Sequence, residues 1–421
     1  MFFLYNIISF LLLPVLLPLL LVAFGCRGKY RQRLPARLGR GLGRIRKTGR
    51  SGPPTVWIHA LSVGEVTSAV PLLRALRARY PQARLLFSVT TATGRLVADR
   101  QLSGIADAIF DGPVDFLPVV NHFLDNLEPD LYILVETDFW PNLLHCLRRR
   151  KIPALLVNGR ISAGSMRRYR RGRAFFLPMF HCFTKMAMQT AADRDGMLAL
   201  GVAARRLPIL GNLKFAGQPP AADKPLAALL PAACRVLVAG STHDGEDGAI
   251  IDGYMRLRQV YRDLYLVVVP RHPQRAAEIA SMAAKVGLTA RLRSVTTDHG
   301  VDDLLIVDTI GELLNFYALA TLAFVGGSLV AKGGHNPVEP AGCGVPVLFG
   351  PHMEDFSEIA DLLLENGAAM RVGDADGLVE AVTTLLGDPG LLAAMGNRAR
   401  EVVLARNDVV DRHLQLIDTL L

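Results

Sequence analysis

The stretch TVWIHALSVGEV, residues 55–66, runs from an apolar segment through Ser62 and Gly64 to an acidic residue, Glu65. A short apolar run that ends at small polar residues is typical of a buried strand. Similar runs recur along the chain and alternate with amphipathic stretches, as the strands and helices of a parallel sheet do. Further strands are predicted at 84–89, 130–136, 153–159, 184–189, 235–241, 265–270, 304–308, 322–327 and 346–349.

The alternation of strands and helices is interrupted by the Pro- and Ala-rich stretch at 216–231. We therefore predict two Rossmann-like, doubly wound α/β domains, at 51–215 and 232–421, with residues 216–231 as the linker. Ligands of such folds bind at the carboxyl ends of the strands. A ligand is accordingly expected in the cleft between the two domains.

The N-terminus predicts a membrane anchor. Residues 2–24 are uncharged and largely apolar, and a segment of this kind is roughly long enough to cross a ~30 Å hydrocarbon core. A cleaved signal peptide is the alternative, but the start lacks basic residues and Phe24 is bulky where small residues are needed. Residues 1–25 are therefore predicted to be an uncleaved anchor helix. Pro14 and Pro18 could kink it, so it either spans the bilayer or lies in its plane.

The positive charge of the chain is concentrated next to this anchor. Residues 26–50 contain ten of the 47 Lys and Arg residues and no acid, which leaves 37 basic against 38 acidic residues elsewhere. Such a juxtamembrane segment is expected to stay on the cytoplasmic side and to bind anionic lipid headgroups. The balanced charge of the remainder argues against a nucleic-acid partner.

Motifs for metals, cofactors and hydrolysis are missing from the sequence. The five cysteines form no CxxC pair, and neither HExxH nor GxSxG occurs. Two DxD matches, at 193–195 and 374–376, coincide with predicted helix starts, where capping explains the acids better than metal binding. We therefore expect neither a bound metal nor another cofactor.

Acidic residues follow two of the predicted strands in the first domain. Glu65, next to an apolar wall, is a candidate general base, because burial raises the pKa of a carboxyl group. The alternative is a capping box formed by Ser62 and Glu65 at the start of a helix. Glu136 and Asp138 follow a second strand, and one of them could be only a helix cap.

Arginine clusters at 148–151 and 167–173 are either a solvated face or a surface for an anionic lipid. Nearer the linker, Lys214 could place a positive charge towards the cleft, although a surface lysine is the more common explanation.

Polar residues follow the strands of the second domain in the same way. Hydroxyl groups and free N–H groups at a strand-to-helix junction suit a phosphate, and a stiffly held arginine suits any anion. A plain helix cap is the competing explanation for the hydroxyl groups. The glycine-rich loop GGSLVAKGGHNPVEP at 326–340 allows a ligand to approach the backbone, and a nearby carboxylate could accept ribose hydroxyls. The candidates are Ser241, Thr242, Arg271, His272, Glu312, Ser328 and Glu339.

These motifs together resemble the 3-deoxy-D-manno-octulosonic acid (Kdo) transferases of lipopolysaccharide biosynthesis. The resemblance covers the whole chain and rests on segments that occur in the order of that family. They are HALSVGEV, VETDFWPN, NGRIS, GNLKF, GSTHDGE, PRHP, DTIGEL, FVGGSLVAKGGHNPVEPA and GPHMEDF. The resemblance implies a membrane-anchored glycosyltransferase with two Rossmann-like domains, the type B fold, at the bacterial inner membrane with its catalytic domains on the cytoplasmic side.

The resemblance also implies the reaction and the residues that perform it. Kdo would pass from CMP-Kdo to a lipid A precursor, lipid IVA, with inversion. Glu65 matches the proton acceptor of the family, and Glu136 and Lys214 match its transition-state stabilisers. The positions that match CMP-contacting segments are Pro270, Arg271, Ile310, Gly311, Glu312, Asn336, Pro337, Val338 and Glu339. The glycine-rich loop would then hold a nucleotide with a single phosphate, which needs N–H groups and a cation rather than magnesium.

The sequence departs from the family pattern in small ways, at Asp138, at Gly159 and at Ala216, which follows GNLKF. Two alternatives are open at this point. One is another membrane-associated type B glycosyltransferase with a different sugar nucleotide and lipid acceptor. The other is a basic protein without enzymatic activity that binds membranes or nucleic acid, which would leave every motif at a strand end unused.

Overall fold

The computed structural model of the protein describes residues 2–3, 5–7, 10–11, 28–45, 52–216, 224–295 and 302–421. They form two compact units. Unit 1 comprises Met1–Ala216 and Asp408–Leu421, and unit 2 comprises Gly217–Asn407. Most of the predicted anchor, and residues 217–223 of the predicted linker, lie outside the described residues.

Unit 1 is built on a six-stranded parallel sheet of order β3-β2-β1-β4-β5-β6. Its central strands are apolar and fully buried, as expected for a sheet covered by helices on both faces. The chain order reverses between β1 and β4, which places the segments after these two strands side by side. The strands are β1 Thr55–Ala60, β2 Arg84–Val89, β3 Ala108–Asp111, β4 Leu131–Val135, β5 Ala154–Gly159 and β6 Lys185–Met188.

The helices of unit 1 lie between these strands, with one more at the C-terminus of the chain. The helix Val63–Arg79 follows Ser62, its N-cap residue, and its residues Val66, Leu73 and Leu76 are buried. The helices are α1 Gly28–Arg37, α2 Val63–Arg79, α3 Ala92–Gln101, α4 Leu117–Leu127, α5 Pro141–Arg149, α6 Ala163–Arg171, α7 Arg173–Phe180, α8 Ala191–Leu200 and, at the C-terminus, α17 Val409–Asp418; a short 3-10 turn covers Leu213–Ala216.

Unit 2 has a seven-stranded parallel sheet of order β13-β12-β11-β7-β8-β10-β9. The order reverses between β7 and β11, so the segments after these strands are neighbours. The strands are β7 Arg235–Thr242, β8 Leu264–Pro270, β9 Ala290–Leu292, β10 Leu304–Ile306, β11 Leu322–Val325, β12 Val347–Phe349 and β13 Ala369–Arg371. The helices are α9 Lys224–Ala227, α10 Asp247–Val260, α11 Ala276–Lys285, α12 Leu313–Tyr317, α13 Val338–Gly342, α14 Ser357–Glu365, α15 Ala375–Gly387 and α16 Pro389–Leu404.

The C-terminal helix α17 differs from the predicted domain boundary. The second domain was predicted to extend to residue 421, whereas residues 408–421 belong to unit 1. The apolar face of α17, with Val409 and Ile417, is buried in the same core cluster as residues of α2. Arg79 and Tyr80 also bind the carboxylate of Asp418. Burial of this face fixes the end of the chain on unit 1.

The basic segment at 28–45 makes specific contacts with unit 1. The Arg33 guanidinium forms an ion pair with Asp111 and donates a 3.1 Å hydrogen bond to the Thr90 carbonyl. Arg37 donates to the carbonyl of Gly112. Arg33 and Arg37 of the predicted headgroup-binding segment therefore form hydrogen bonds with unit 1.

No single helix among the described residues has the length and hydropathy needed to cross a bilayer. Two helical segments, Ala375–Gly387 and Pro389–Asp418, meet that criterion only as a pair bent by 104°.

Candidate active site

Glu65 lies in the first turn of α2, directly after β1. Its side chain is 5% exposed, its Oε2 accepts a hydrogen bond from the backbone N–H of Leu61, and its Oε1 accepts one of 2.9 Å from the Thr137 hydroxyl. The Ser62 hydroxyl makes no cap bond, so the capping box considered as the alternative does not form. The carboxylate of Glu65 instead connects the ends of the two central strands.

The surroundings of Glu65 make it harder to ionise. Burial is the largest effect, and together with the negative charges of Glu136 and Asp138 it raises the pKa of Glu65 from 4.5 to about 8. The hydrogen bonds from Leu61 and Thr137 act in the opposite direction but are weaker. A carboxylate with a pKa close to neutral suits proton transfer, because it can both accept and release a proton at the operating pH.

Glu136 follows β4 with a left-handed backbone conformation, φ 58°. Its Oε1 accepts a 2.8 Å hydrogen bond from Nδ2 of Asn158 and lies 3.3 Å from the Ser68 hydroxyl. Ser68 is on α2, one turn after Glu65, and its hydroxyl is 3.0 Å from the Glu65 carbonyl oxygen. The backbone strain at Glu136 is typical of a functional site. Ser68 thus contacts both acidic residues.

Lys214 lies in the 3-10 turn Leu213–Ala216, and its position is set by buried amides. The backbone N–H of Leu213 donates to Asn158 Oδ1 at 2.9 Å, and that of Lys214 donates to Asn212 Oδ1 at 3.0 Å. Gln189 completes the network, since it accepts from Asn212 and donates to the Asn158 carbonyl. The same residue, Asn158, therefore holds both Glu136 and the turn that carries Lys214.

Asp138, two residues after Glu136, also has a left-handed backbone conformation, φ 77°. Its Oδ2 lies 3.0 Å from Nε2 of His59 and accepts a 2.9 Å hydrogen bond from the Thr90 hydroxyl. Burial alone would raise the pKa of Asp138, but its interactions with His59, Trp140 and Thr90 together outweigh burial and lower the pKa below the ordinary value of 3.8. His59 is itself buried and bonded to Ser88. Asp138 is therefore not the helix cap that the sequence allowed.

The glycine-rich loop of unit 2 is organised by Glu246, a fully buried residue that sequence reasoning did not single out. Its carboxylate accepts hydrogen bonds of 2.7–2.9 Å from the backbone N–H groups of His243, Gly327, Ser328 and Leu329. These N–H groups were expected to bind a phosphate, but they are already satisfied within the protein. Side chains must therefore supply most of the recognition of an anion here.

The three hydroxyl residues predicted near this loop, Ser241, Thr242 and Ser328, differ in how deeply they are buried. Ser328 is fully buried, and its hydroxyl donates to the Val325 carbonyl and accepts from Gly350 N–H at 2.8 Å. Thr242, the last residue of β7, is also fully buried. Ser241 is half-buried and has a left-handed backbone, φ 58°. The Ser328 hydroxyl therefore already has hydrogen-bond partners within the protein.

Two of the segments matched to CMP contacts meet beside β7. Pro270 ends β8, and the backbone N–H of Arg271 donates to the Thr242 carbonyl at 3.0 Å. The Arg271 side chain is exposed. Asn336 Nδ2 donates to Glu339 Oε1 at 3.2 Å. Burial raises the pKa of Glu339, although the Asn336 bond and the charge of Arg271 oppose the rise.

The remaining residues matched to CMP contacts lie in the loops after β10 and β11 and at the start of α13. Glu312 accepts a 2.9 Å hydrogen bond from the Arg293 guanidinium and another from Thr309. Ile310 is largely exposed and Gly311 has φ 98°, while Pro337 and Val338 are buried at the start of α13. Their contacts with a nucleotide stay a prediction.

The two DxD motifs lie at helix starts. Asp374 caps α15 by accepting from Gly377 N–H at 2.9 Å. Asp193 lies in the first turn of α8, where Thr190 is the cap and Asp193 accepts from Thr190 and from Ile161 N–H. In the part of the chain that the structure describes, no three His, Cys, Asp or Glu side chains are arranged to hold a metal ion.

Two parallel α/β units, with buried acidic residues in one and an ordered glycine-rich loop in the other, have the architecture of the glycosyltransferase type B fold. The family model for 3-deoxy-D-manno-octulosonic-acid transferase matches residues 32–217. The Kdo transferase of Haemophilus influenzae is 34% identical over 419 residues, which cover 96% of each chain. That of Bordetella pertussis is 33% identical over 93% of this chain and 92% of its own.

The chain therefore belongs to the 3-deoxy-D-manno-octulosonic acid transferase family. Among solved structures, UDP-GlcNAc 2-epimerase from Neisseria meningitidis bound to UDP-GlcNAc has a TM-score of 0.60 at 13% identity, over 87% of this chain and all of that one. A likeness at this identity concerns the fold alone.

Proposed function

We propose that the protein transfers Kdo from CMP-Kdo to the lipid A precursor lipid IVA by direct displacement with inversion. Glu65 accepts the proton of the acceptor sugar hydroxyl as its oxygen attacks the anomeric carbon of Kdo. The observation that carries the proposal is the buried carboxylate of Glu65, with a pKa raised to about 8 and held by Leu61 and Thr137. General-base catalysis of this kind contributes typically ~10²–10⁴-fold to a rate.

Glu136 and Lys214 stabilise the charges that develop in the transition state. A carboxylate favours positive charge at the anomeric carbon, and an ammonium favours negative charge on the departing groups. Because Asn158 fixes both Glu136 and the turn of Lys214, the two charges are held before the substrate arrives. Fixed groups of this type stabilise a transition state without a cost of reorganisation.

CMP-Kdo is the proposed donor, and unit 2 is its binding unit. Arg271 presents a cation beside β7, and Glu339 and Glu312 present carboxylates that suit ribose hydroxyl groups. The single phosphate of such a nucleotide can be bound by one cation, which Arg271 supplies. The names of the relatives support Kdo as the sugar.

We further propose that the acceptor is a membrane lipid reached at the cytoplasmic face of the inner membrane, and features of unit 1 support contact with lipid. Its first residues dock on the unit, with the Phe2 ring 4.2 Å from His145 and Asn6 donating a 2.7 Å hydrogen bond to Asn142. The same stretch exposes Phe3, Phe10 and Leu11, which suit contact with lipid. Exposed arginines on α5 and α6, at 148–149 and 167–171, suit the phosphates of the acceptor or of the membrane.

CMP release from CMP-Kdo, by full-length protein in detergent with and without lipid IVA, tests the reaction. We expect release that depends on the acceptor, and Glu65→Gln should reduce turnover by ~10³-fold with a nearly unchanged KM. Asp99→Asn, which alters an exposed carboxylate on α3, is the matched control and should behave as wild type. A folded Glu65→Gln protein with a rate within a few-fold of wild type would contradict the role of Glu65.

Membrane binding has its own test. Removal of residues 1–25 should release the protein from anionic vesicles only partly at low salt, because basic residues of the following segment still attract the headgroups. Complete release at low salt would exclude headgroup binding by that segment.

A further inference from the structure

Two histidines meet at the point where the strand order of unit 2 reverses. His243 follows β7 and His335 follows β11, and their Nε2 atoms lie 2.9 Å apart. The ring planes differ by 6°, and the ring centroids are 5.1 Å apart. That separation equals the distance between the nitrogens plus the two ring radii. The rings therefore lie edge to edge in one plane, joined by an N–H···N hydrogen bond, and are not stacked face to face.

This geometry limits how many protons the pair can hold. Only one hydrogen fits between the two Nε2 atoms, so one ring donates and the other accepts. Each Nδ1 lies on the far side of its ring, and within the described residues neither Nδ1 has a hydrogen-bond partner. The neutral pair can gain one proton, on the Nδ1 of the donor ring, without losing its hydrogen bond. A second added proton would break that bond.

The burial of the pair and the charges around it favour its neutral form. The charges of His272, Lys332 and Arg271 act to lower the pKa of His243, and the His243 ring centroid is 5.8 Å from that of His272. Burial, followed by the charge of Arg271 and the neighbouring histidines, lowers the pKa of His335 to about 4. Burial also lowers the pKa of His243, although the charge of Glu246 acts in the opposite direction. An anion bound beside the rings would reverse this balance.

The adjoining loop leaves the binding of an anion to these side chains. Glu246 already accepts from the N–H groups of His243, Gly327, Ser328 and Leu329. Gly327 has φ 69°, and a Cβ there would lie 3.1 Å from Cδ2 of His335 and 3.4 Å from Cδ2 of His243. Glycine at this position therefore lets the two rings come together above the loop.

We propose that the His243–His335 pair binds the phosphate of the donor nucleotide together with Arg271 and takes up one proton as it does so. The inference rests on the proposed function, since it assumes that the CMP moiety binds beside β7. The proton enters on the outer Nδ1 of the donor ring, and the resulting positive charge faces the phosphate. Binding of CMP compounds is therefore linked to pH through this pair.

Calorimetry with the methyl ester of CMP tests the proposal on the full-length protein in detergent. This phosphodiester carries one charge, as the donor does, and its phosphate does not titrate near neutral pH. Binding heats measured in buffers of different ionisation enthalpy give the number of protons taken up. We expect wild type to take up close to one proton at pH 6 and to bind at least ~10-fold more weakly at pH 9.

Three variants make the test specific. In His243→Gln/His335→Gln, an amide pair replaces the titrating pair, and we expect no proton uptake and the same Kd at pH 6 as at pH 9. Its Kd at pH 9 should match that of wild type, which separates lost titration from damage to the fold. His243→Gln alone, which keeps a hydrogen bond to His335, should reduce the uptake. His122→Asn, which alters an exposed histidine of unit 1, should leave the uptake unchanged.

The outcomes separate this inference from the proposed function. Binding of the ester by wild type without proton uptake, or uptake that persists in the double variant, would overturn the role of the pair and leave the CMP site intact. Failure of folded wild type to bind either the ester or CMP would overturn the proposed donor, and the inference with it.

Discussion

Asn158 connects Glu136 to the turn that carries Lys214. Its Nδ2 donates a 2.8 Å hydrogen bond to Glu136, and its Oδ1 accepts one of 2.9 Å from the backbone N–H of Leu213. Asn158 is fully buried at the end of β5, with φ 55°. One amide therefore links the Glu136 carboxylate to the backbone turn that carries Lys214.

Asn158→Ala should slow the reaction more than it weakens substrate binding. Loss of the amide leaves Leu213 N–H and the Glu136 carboxylate without their partner, which should lower the free energy of unfolding by about 2–3 kcal/mol. A misplaced charge should reduce kcat by ~10²-fold with little change in KM. Steady-state kinetics and urea denaturation measure the two effects. Asn126→Ala, on the exposed face of α4, should change neither, and an unchanged kcat in Asn158→Ala would remove the positioning role.

Glu65→Gln should stabilise the protein at high pH. The folded-state pKa of Glu65 is raised to about 8 from 4.5, so between these values the folded state binds a proton that the unfolded state has lost. The stability of wild type therefore falls as pH rises through this window, whereas that of the glutamine variant does not. The variant should gain up to ~1.4 kcal/mol per pH unit relative to wild type. Urea denaturation of both proteins at pH 5 and pH 8 measures this difference. A difference in the free energy of unfolding between wild type and Glu65→Gln that is the same at both pH values would contradict the raised pKa.

The rate should depend on pH in a way that Thr137 controls. Glu65 accepts a proton only when it is ionised, so kcat/KM for the acceptor at saturating donor should rise with pH up to about 8 and then level off. Thr137→Val removes a hydrogen bond that lowers the pKa of Glu65 and should move the rise to higher pH. Thr419→Val, which alters an exposed hydroxyl, should leave it in place. A profile that Thr137→Val does not move would point to another base.

Glu246→Gln should loosen the glycine-rich loop. A glutamine has one acceptor oxygen where the carboxylate has two, and its amide hydrogens would face backbone N–H groups. We expect the free energy of unfolding to fall by roughly 3 kcal/mol or more, with faster hydrogen exchange at Gly327, Ser328 and Leu329. Glu380→Gln on the exposed side of α15 is the control. Unchanged exchange at these amides would show that Glu246 does not hold the loop.

Periodicity in the sequence predicted the interior strands and the edge strand β6, but not the other three edge strands. Ten strands were anticipated, all with continuous apolar runs, and each is present within a few residues. The three strands that were missed, β3, β9 and β13, lie at or next to the sheet edges. Their residues are mostly only half-buried, so they carry no apolar run to detect.

The candidate site was anticipated only in part, for a similar reason. Glu65 and Glu136 follow strands and were found from that position, together with the family resemblance. Asn158 and Glu246 were missed because their roles depend on contacts between segments far apart in sequence, which local patterns do not encode. A signal was available for Asn158, since a polar residue inside an apolar strand run, ALLVNG, needs a buried partner.

The mass of the lipid product tests the central claim most directly. Full-length protein should be incubated with CMP-Kdo and lipid IVA, and the extracted lipid analysed by mass spectrometry. We expect a lipid heavier than the acceptor by a whole number of Kdo residues, formed by wild type and by Asp99→Asn at similar rates and by Glu65→Gln ~10³-fold more slowly. An unchanged acceptor mass with folded wild-type protein, or a mass increment that matches a different sugar, would contradict the proposed reaction.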